Sequence, residues 1–224
     1  MKHTTKRRLA ALSLTAALLT ILAGCSVETG TYEQKAYEAA AGEVNSLVLE
    51  VRDRKVELVP SEDDRLHISY SESEKEFYTI EASEDKTLTM VCADSKEWGD
   101  YVGGKTAQEN RVIRVSIPDG ALKNLTLTTT NEDVSVSRLS FHGAVDIGAN
   151  GGNIALEKVA VGTELKLDVK NGNISGSVSG AYEDFSIDST VKKGKSNLPE
   201  NKEDGAKQLT VSANNGDISL EFNK

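Results

Sequence analysis

One spacing rule recurs five times along this chain and constrains the fold more than any other feature. From Leu47, Leu125, Val145, Leu165 or Leu209, steps of two, four, nine and eleven residues land on apolar or small side chains. The reads are Leu47-Leu49-Val51-Val56-Leu58, Leu125-Leu127-Thr129-Val134-Val136, Val145-Ile147-Ala149-Ile154-Leu156, Leu165-Leu167-Val169-Ile174-Gly176 and Leu209-Val211-Ala213-Ile218-Leu220. A step of two is the side-chain period of a strand, and the five-residue jump flips that parity across a corner. Each unit is therefore predicted to be a strand, a tight corner and a second strand, both facing one interior. The starts at 125, 145 and 165 lie 20 residues apart, the length scale of a solenoid coil. The predicted fold class is all-β, a β-solenoid of single-stranded β-helix type with about 20–22 residues per coil.

The corners carry Asp53-Arg54, Asn131-Glu132-Asp133, Asn150-Gly151-Gly152-Asn153, Asn171-Gly172-Asn173 and Asn214-Asn215-Gly216-Asp217. Gly and Asn tolerate positive φ, and Asn or Asp side chains bond nearby backbone, which suits a sharp corner. Asn-Gly between apolar runs also fits ordinary antiparallel hairpins. A shared register favours stacked coils, because unrelated hairpins have no reason to repeat one spacing. One unit departs: Phe185, Ile187 and Ser189 fit a first strand, the corner then lengthens through Val191 to Ser196, and Leu198 takes the last inward place. A polar loop, Pro199 to Gln208, follows.

The N-terminal half holds an insertion, Pro60 to Pro118, with strands expected at Leu66-Ile68-Tyr70, Phe77 to Ala82, Leu88 to Cys92 and Val112 to Ile117. Ser71 to Lys75 and Ser83 to Lys86 look like solvated hairpin connections. Tyr32 to Gly42 reads equally as a short helical turn or an irregular first strand. Phe222 could close the core at the C-terminal end, with Glu221, Asn223 and Lys224 blunting its edge.

The first residues carry an address. Lys2, Lys6, Arg7 and Arg8 form a basic start, and Leu9 to Ala23 is a nearly continuous apolar and small-residue run, short for a bilayer span. It ends in Leu22-Ala23-Gly24-Cys25, which resembles the lipobox of bacterial lipoproteins. That resemblance implies cleavage before Cys25 and a diacylglyceryl group on its sulfur. The expected organisation is a lipoprotein signal peptide at 1–24, a lipidated cysteine and tether at 25–43, and one β-solenoid domain at 44–224. Two acyl chains hold a protein on a membrane where one does not. The expected location is the extracytoplasmic face of the cell membrane, with the membrane reached through the lipid anchor.

Of 26 Lys and Arg, the four in the leader are removed, leaving 22 against 35 Asp and Glu, a formal charge of −13. An acidic surface without a basic cluster argues against nucleic acid as a partner. Two cysteines exclude a disulfide framework. With Cys25 lipidated, Cys92 stands alone, with parity that places it beside Leu88 and Met90 as a small core residue.

Parallel β-helices also host polysaccharide lyases and hydrolases, whose chemistry needs grouped carboxylates or a base beside metal-binding acids. His67 and His142 lie on different units without matching partners. Asp146, Asp168 and Asp188 fall on outward positions one expected coil apart and could line an acidic ladder, a row that solvated surface charge also explains. Gly151-Gly152-Asn153 is similar to calcium-binding β-roll repeats, but their nine-residue period is missing. No catalytic residue, metal or cofactor is expected. The remaining candidate for ligand contact is the loop Asp94 to Asn110, which holds Trp98, the only tryptophan, with Tyr101 and the pair Gly103-Gly104. Aromatics on such a loop can stack on sugars or fill a partner's pocket, or cover the end of the stack.

The leader, the strand ending Val115-Ser116-Ile117-Pro118, and units such as Leu165-Lys166-Leu167-Asp168-Val169-Lys170-Asn171-Gly172-Asn173-Ile174 resemble the bacterial putative-adhesin family, a β-solenoid domain of unknown function. The likeness runs from about Val44 to Phe222. It implies an envelope setting, in some members alongside cell-envelope stress signalling, and no catalytic residues. The expected function is a non-catalytic binding or scaffold surface, with a passive structural protein and a glycan-active enzyme as the competing classes.

Overall fold

The computed structural model describes residues 31–94 and 106–223. Among them the chain is strand throughout, with two short 3-10 turns and no α-helix. Two nine-stranded sheets, each mixing parallel and antiparallel pairs, carry all eighteen strands, numbered along the chain. The first runs β1 (Glu33–Ala40), β4 (Arg65–Glu72), β7 (Val112–Ile117), β3 (Lys55–Pro60), β9 (Val134–Ser137), β12 (Ile154–Val161), β14 (Ile174–Ser179) and β18 (Ile218–Asn223), with β10 (Ser140–Phe141) beside β12. The second runs β16 (Asn201–Lys202), β15 (Phe185–Lys193), β17 (Lys207–Asn215), β13 (Glu164–Asn171), β11 (Ala144–Gly151), β8 (Asn124–Thr129), β2 (Ser46–Glu50), β6 (Thr87–Asp94) and β5 (Glu76–Ala82).

The five units have the predicted form, because the strands before and after each corner lie in different sheets and so are not hairpins. Leu127, Ile147, Leu167 and Val211 are successive parallel partners, as are Val134, Ile154, Ile174 and Ile218. Every residue that the spacing rule selects is buried except Gly176. Parity forces this outcome: a one-residue slip would turn each apolar set outward. The corners are held by side chains one unit apart. Asp133 accepts from the Asn153 amide at 2.7 Å, Asn153 from Asn173 at 2.9 Å, Asn173 from Asp217 at 2.8 Å and Asp217 from Lys195 at 2.8 Å. Beside them the backbones approach too closely for any side chain. A Cβ on Gly172 would stand 1.9 Å from the Gly152 carbonyl oxygen, and one on Gly216 1.8 Å from that of Gly172.

Four expectations need correction or resolution. The unit at Leu209 does not follow the unit at Phe185 in space; β17 lies between β13 and β15. Segment Ser71 to Lys75 is no hairpin, since β4 and β5 belong to different sheets, whereas β5 and β6 do form one around Ser83 to Lys86. Tyr32 to Gly42 resolves to a strand, β1, antiparallel to β4. Cys92 is half-buried rather than core, because β6 runs past the end of the apolar interior after Met90.

Candidate contact surfaces

The least periodic part of the interior lies where the Leu47 unit turns its corner. Arg54 is only 3% exposed and Glu76, at the start of β5, 5%. The Arg54 guanidinium donates to a Glu76 carboxylate oxygen and, through Nε, to the Tyr78 hydroxyl at 2.6 Å. Tyr32, just before β1, donates to the same Glu76 oxygen at 2.5 Å, and its hydroxyl lies 2.9 Å from the Thr106 hydroxyl. Thr129 closes the ring by donating to the Arg54 carbonyl oxygen at 2.7 Å. A buried charge persists only when paired and fully hydrogen-bonded, and this corner meets that condition. Burial pushes the Tyr78 phenol up to about 12 despite the neighbouring guanidinium, and raises the adjacent Cys92 thiol. These groups are held in their resting protonation states, Tyr78 protonated and Cys92 a thiol, so the cluster organises structure rather than activating a nucleophile. Tyr70 packs edge-on against Tyr78, ring centroids 5.1 Å apart, and joins the two sheets at this end.

The opposite end is closed by aromatics. Phe222 of β18 lies 5.3 Å from Tyr182 and 5.4 Å from Phe185. Lys202 sits over the Tyr182 ring and donates to the Phe185 carbonyl oxygen at 2.6 Å. An open hollow of ≈ 750 Å³ lies alongside, lined by Lys158, Asp184, Phe222 and Asn223 among others. The β18 edge is covered by a short segment. Asn197 donates from Nδ2 to the Leu220 carbonyl oxygen at 2.8 Å and accepts the Leu220 amide on Oδ1 at 3.0 Å. One side chain thus pairs as a strand residue would. Sequence reasoning expected Phe222 at this end but missed Asn197.

Between the ends, the outward face of the second sheet forms straight rows. Val48, Thr126, Asp146, Lys166, Thr210 and Asp188 are consecutive lateral partners. The acidic ladder is therefore corrected. Asp146 faces Lys166, with an ion pair at 2.8 Å, and Asp168 faces Gly148 and Ser212. Asp188 is separated from β13 by β17, because the unit order is inverted there. On the first sheet His67 joins β4 to its surroundings, with Nε2 2.8 Å from Asp63 and Nδ1 3.5 Å from Glu38. The Asp63 contact raises the His67 pKa, and the same contact lowers that of Asp63.

Cys25, Trp98 and Tyr101 lie outside the described residues. Among the described residues no group of three or more His, Cys, Asp or Glu could hold a metal ion, and no helix is long and apolar enough to cross a membrane. The Arg54–Glu76 pair was not foreseen. Its signal was Arg54 itself, an arginine at a corner where four other units place Asn, Asp, Gly or Glu.

A family model described as Toastrack DUF4097 matches residues 44–223. The chain belongs to this family. Its fold is similar to that of a "putative cell adhesion protein" from Clostridium sporogenes, with a TM-score of 0.57 at 12% identity, covering 86% of this chain and 100% of that one. A "putative adhesin" from Parabacteroides merdae aligns over 85% of this chain and 78% of its own, at 12% identity and a TM-score of 0.37. No curated relative matches the chain.

Proposed function

We propose that this chain is an extracytoplasmic lipoprotein, anchored through Cys25, whose β-solenoid of about 20–22 residues per coil serves as a non-catalytic, adhesin-like binding or scaffold surface. An accessory role in cell-envelope stress is the setting that the resemblance suggests. The observation that carries the reading is the row Val48, Thr126, Asp146, Lys166, Thr210 and Asp188, part of a broad face of small and charged side chains on parallel strands. Such a face offers many weak contacts over an area, and its Asp146–Lys166 pair is an exposed salt bridge. The likeness to the Clostridium sporogenes protein supports the same reading. Trp98 and Tyr101 are the side chains proposed to add aromatic contact.

Two measurements test it. Metabolic labelling with a radioactive fatty acid should mark the protein and fail in Cys25→Ala; label that persists removes the anchor. Crosslinking on living cells should capture a specific envelope partner, and capture should weaken in Trp98→Ala with the melting temperature unchanged. Turnover of cell-wall glycans by the purified protein would move it to the enzyme class.

A further inference from the structure

The order of strands at the C-terminal end is not the order of the chain. β14 is followed in sequence by β15, yet no ladder joins β13 to β15; both pair with β17 instead. β18 likewise lies between β14 and Ser196, which forms an isolated parallel bridge with Ile218. Residues 207–223 therefore fill a slot whose two walls are built entirely from residues 164–198. The corner backbone records the same order, since Gly216 closes on Gly172 and Gly194 closes on Gly216.

The last unit is seated by its own buried side chains and by ladders to the slot walls, with Asn197 bonding Leu220 from the far wall. Leu209, Val211, Ala213, Ile218 and Leu220 are all buried, and β17 makes parallel ladders on both flanks. The connection that delivers it, Pro199 to Ala206, is polar and carries Glu200, Glu203 and Asp204. It runs back along the outer edge of β15, where Asn201 and Lys202 pair antiparallel with Asp188 and Ile187 and Gly205 bonds the Ser186 hydroxyl. Eight residues reach at most about 28 Å when extended.

From this arrangement we propose that residues 207–223 are a donor coil exchangeable between copies of this chain. The slot between β13/β14 on one side and β15/Ser196 on the other accepts the same segment of a second copy. A second copy supplies identical side chains and identical ladders, so the swapped and unswapped states differ only in the Pro199–Ala206 connection. The tether sets the balance: a short linker holds its own donor at an effective millimolar concentration, so exchange needs chains crowded together. Confinement to a membrane, which rests on the proposed anchor at Cys25, supplies that crowding; the exchange itself is independent of the anchor.

The test uses the full chain in two differently tagged populations, unfolded and refolded together at high concentration. Dimers bearing both tags are expected, and a tenfold excess of synthetic peptide 207–224 should reduce them by about tenfold by mass action. In parallel, a protease site placed between Glu203 and Asp204 should leave the cut chain assembled and able to take up one labelled peptide per chain. Absence of mixed dimers overturns the proposal. Mixed dimers indifferent to the peptide overturn it too, because they must use another surface. If cutting unfolds the chain, the uncut tagged populations decide alone.

Discussion

The half of the molecule from Asn124 onward and the half before it solve the same problem differently. In the later half each apolar row is extended by parallel neighbours of equivalent position, from Leu127 through Ile147 and Leu167 to Val211. In the earlier half β1 and β5 pair antiparallel at the ends of the two sheets, and the interior there closes on Arg54, Glu76 and Tyr78. A repeating stack shares its stability among many similar contacts, so one loss is graded. A buried ion pair concentrates it, because removing one partner leaves the other charged and desolvated.

Arg54→Ala is therefore expected to have the largest effect, about 3–5 kcal/mol, read as a fall in the chemical-denaturation midpoint. The paired change Arg54→Met with Glu76→Leu should recover much of that loss, since an apolar replacement removes both charges together. A single variant as stable as the parent would show that the first half is not organised around this pair. Leu167→Ala comes next, at about 2–5 kcal/mol for a side chain with no exposed surface in the middle of the stack. A loss exceeding that of Arg54→Ala would mean that a single row position matters as much as the buried pair, and the contrast between shared and concentrated stability would fail.

The same contrast explains what could be read in advance. The inward residues of the five units were legible because periodic burial writes periodic sequence, and parity alone separates Leu165 and Leu167 from Lys166 and Asp168. The unit order at the C-terminal end was not legible. Leu209, Val211 and Ala213 would satisfy a slot on either side of β15 equally, and only the lengthened corner near Lys193 hinted at a change. Nor was the Arg54–Glu76 pair, since the two residues are 22 apart and meet across two sheets. The Asp168–Asp188 ladder failed for the first of these reasons, because it assumed that spatial neighbours follow the chain.

Asn197→Ala tests the end of the repeating half. It deletes both bonds to the Leu220 peptide group, at about 1–2 kcal/mol, and exposes the β18 edge. Self-association on a sizing column should increase as the edge opens. An unchanged melting curve and an unchanged elution volume would assign edge protection to Leu198 and the backbone of this segment instead.

The smallest expected effect belongs to the first half and depends on pH. His67 bridges Asp63 on its own strand's approach and Glu38 on β1, so protonation strengthens the hold of β4 on β1. Its pKa is raised in the folded chain, chiefly by the hydrogen bond to Asp63. A raised folded pKa means stabilisation that is full below about 6.5, the ordinary histidine value, and lost as pH rises through the folded value. Asp63 works in the opposite sense, since its lowered pKa gives stabilisation present above about 3.9 and lost as pH falls. The two windows overlap between about pH 4.5 and 6.5, where both groups are charged. The melting temperature of the parent should exceed that of His67→Gln by most in this interval, and the gap should narrow as pH rises through the raised folded pKa of His67. Asp63 is exposed and His67 partly so, and added salt should shrink the gap throughout. A gap that stays constant with pH would mean that β1 is held to β4 by its backbone ladder alone, making the two halves more alike than their polar contacts suggest.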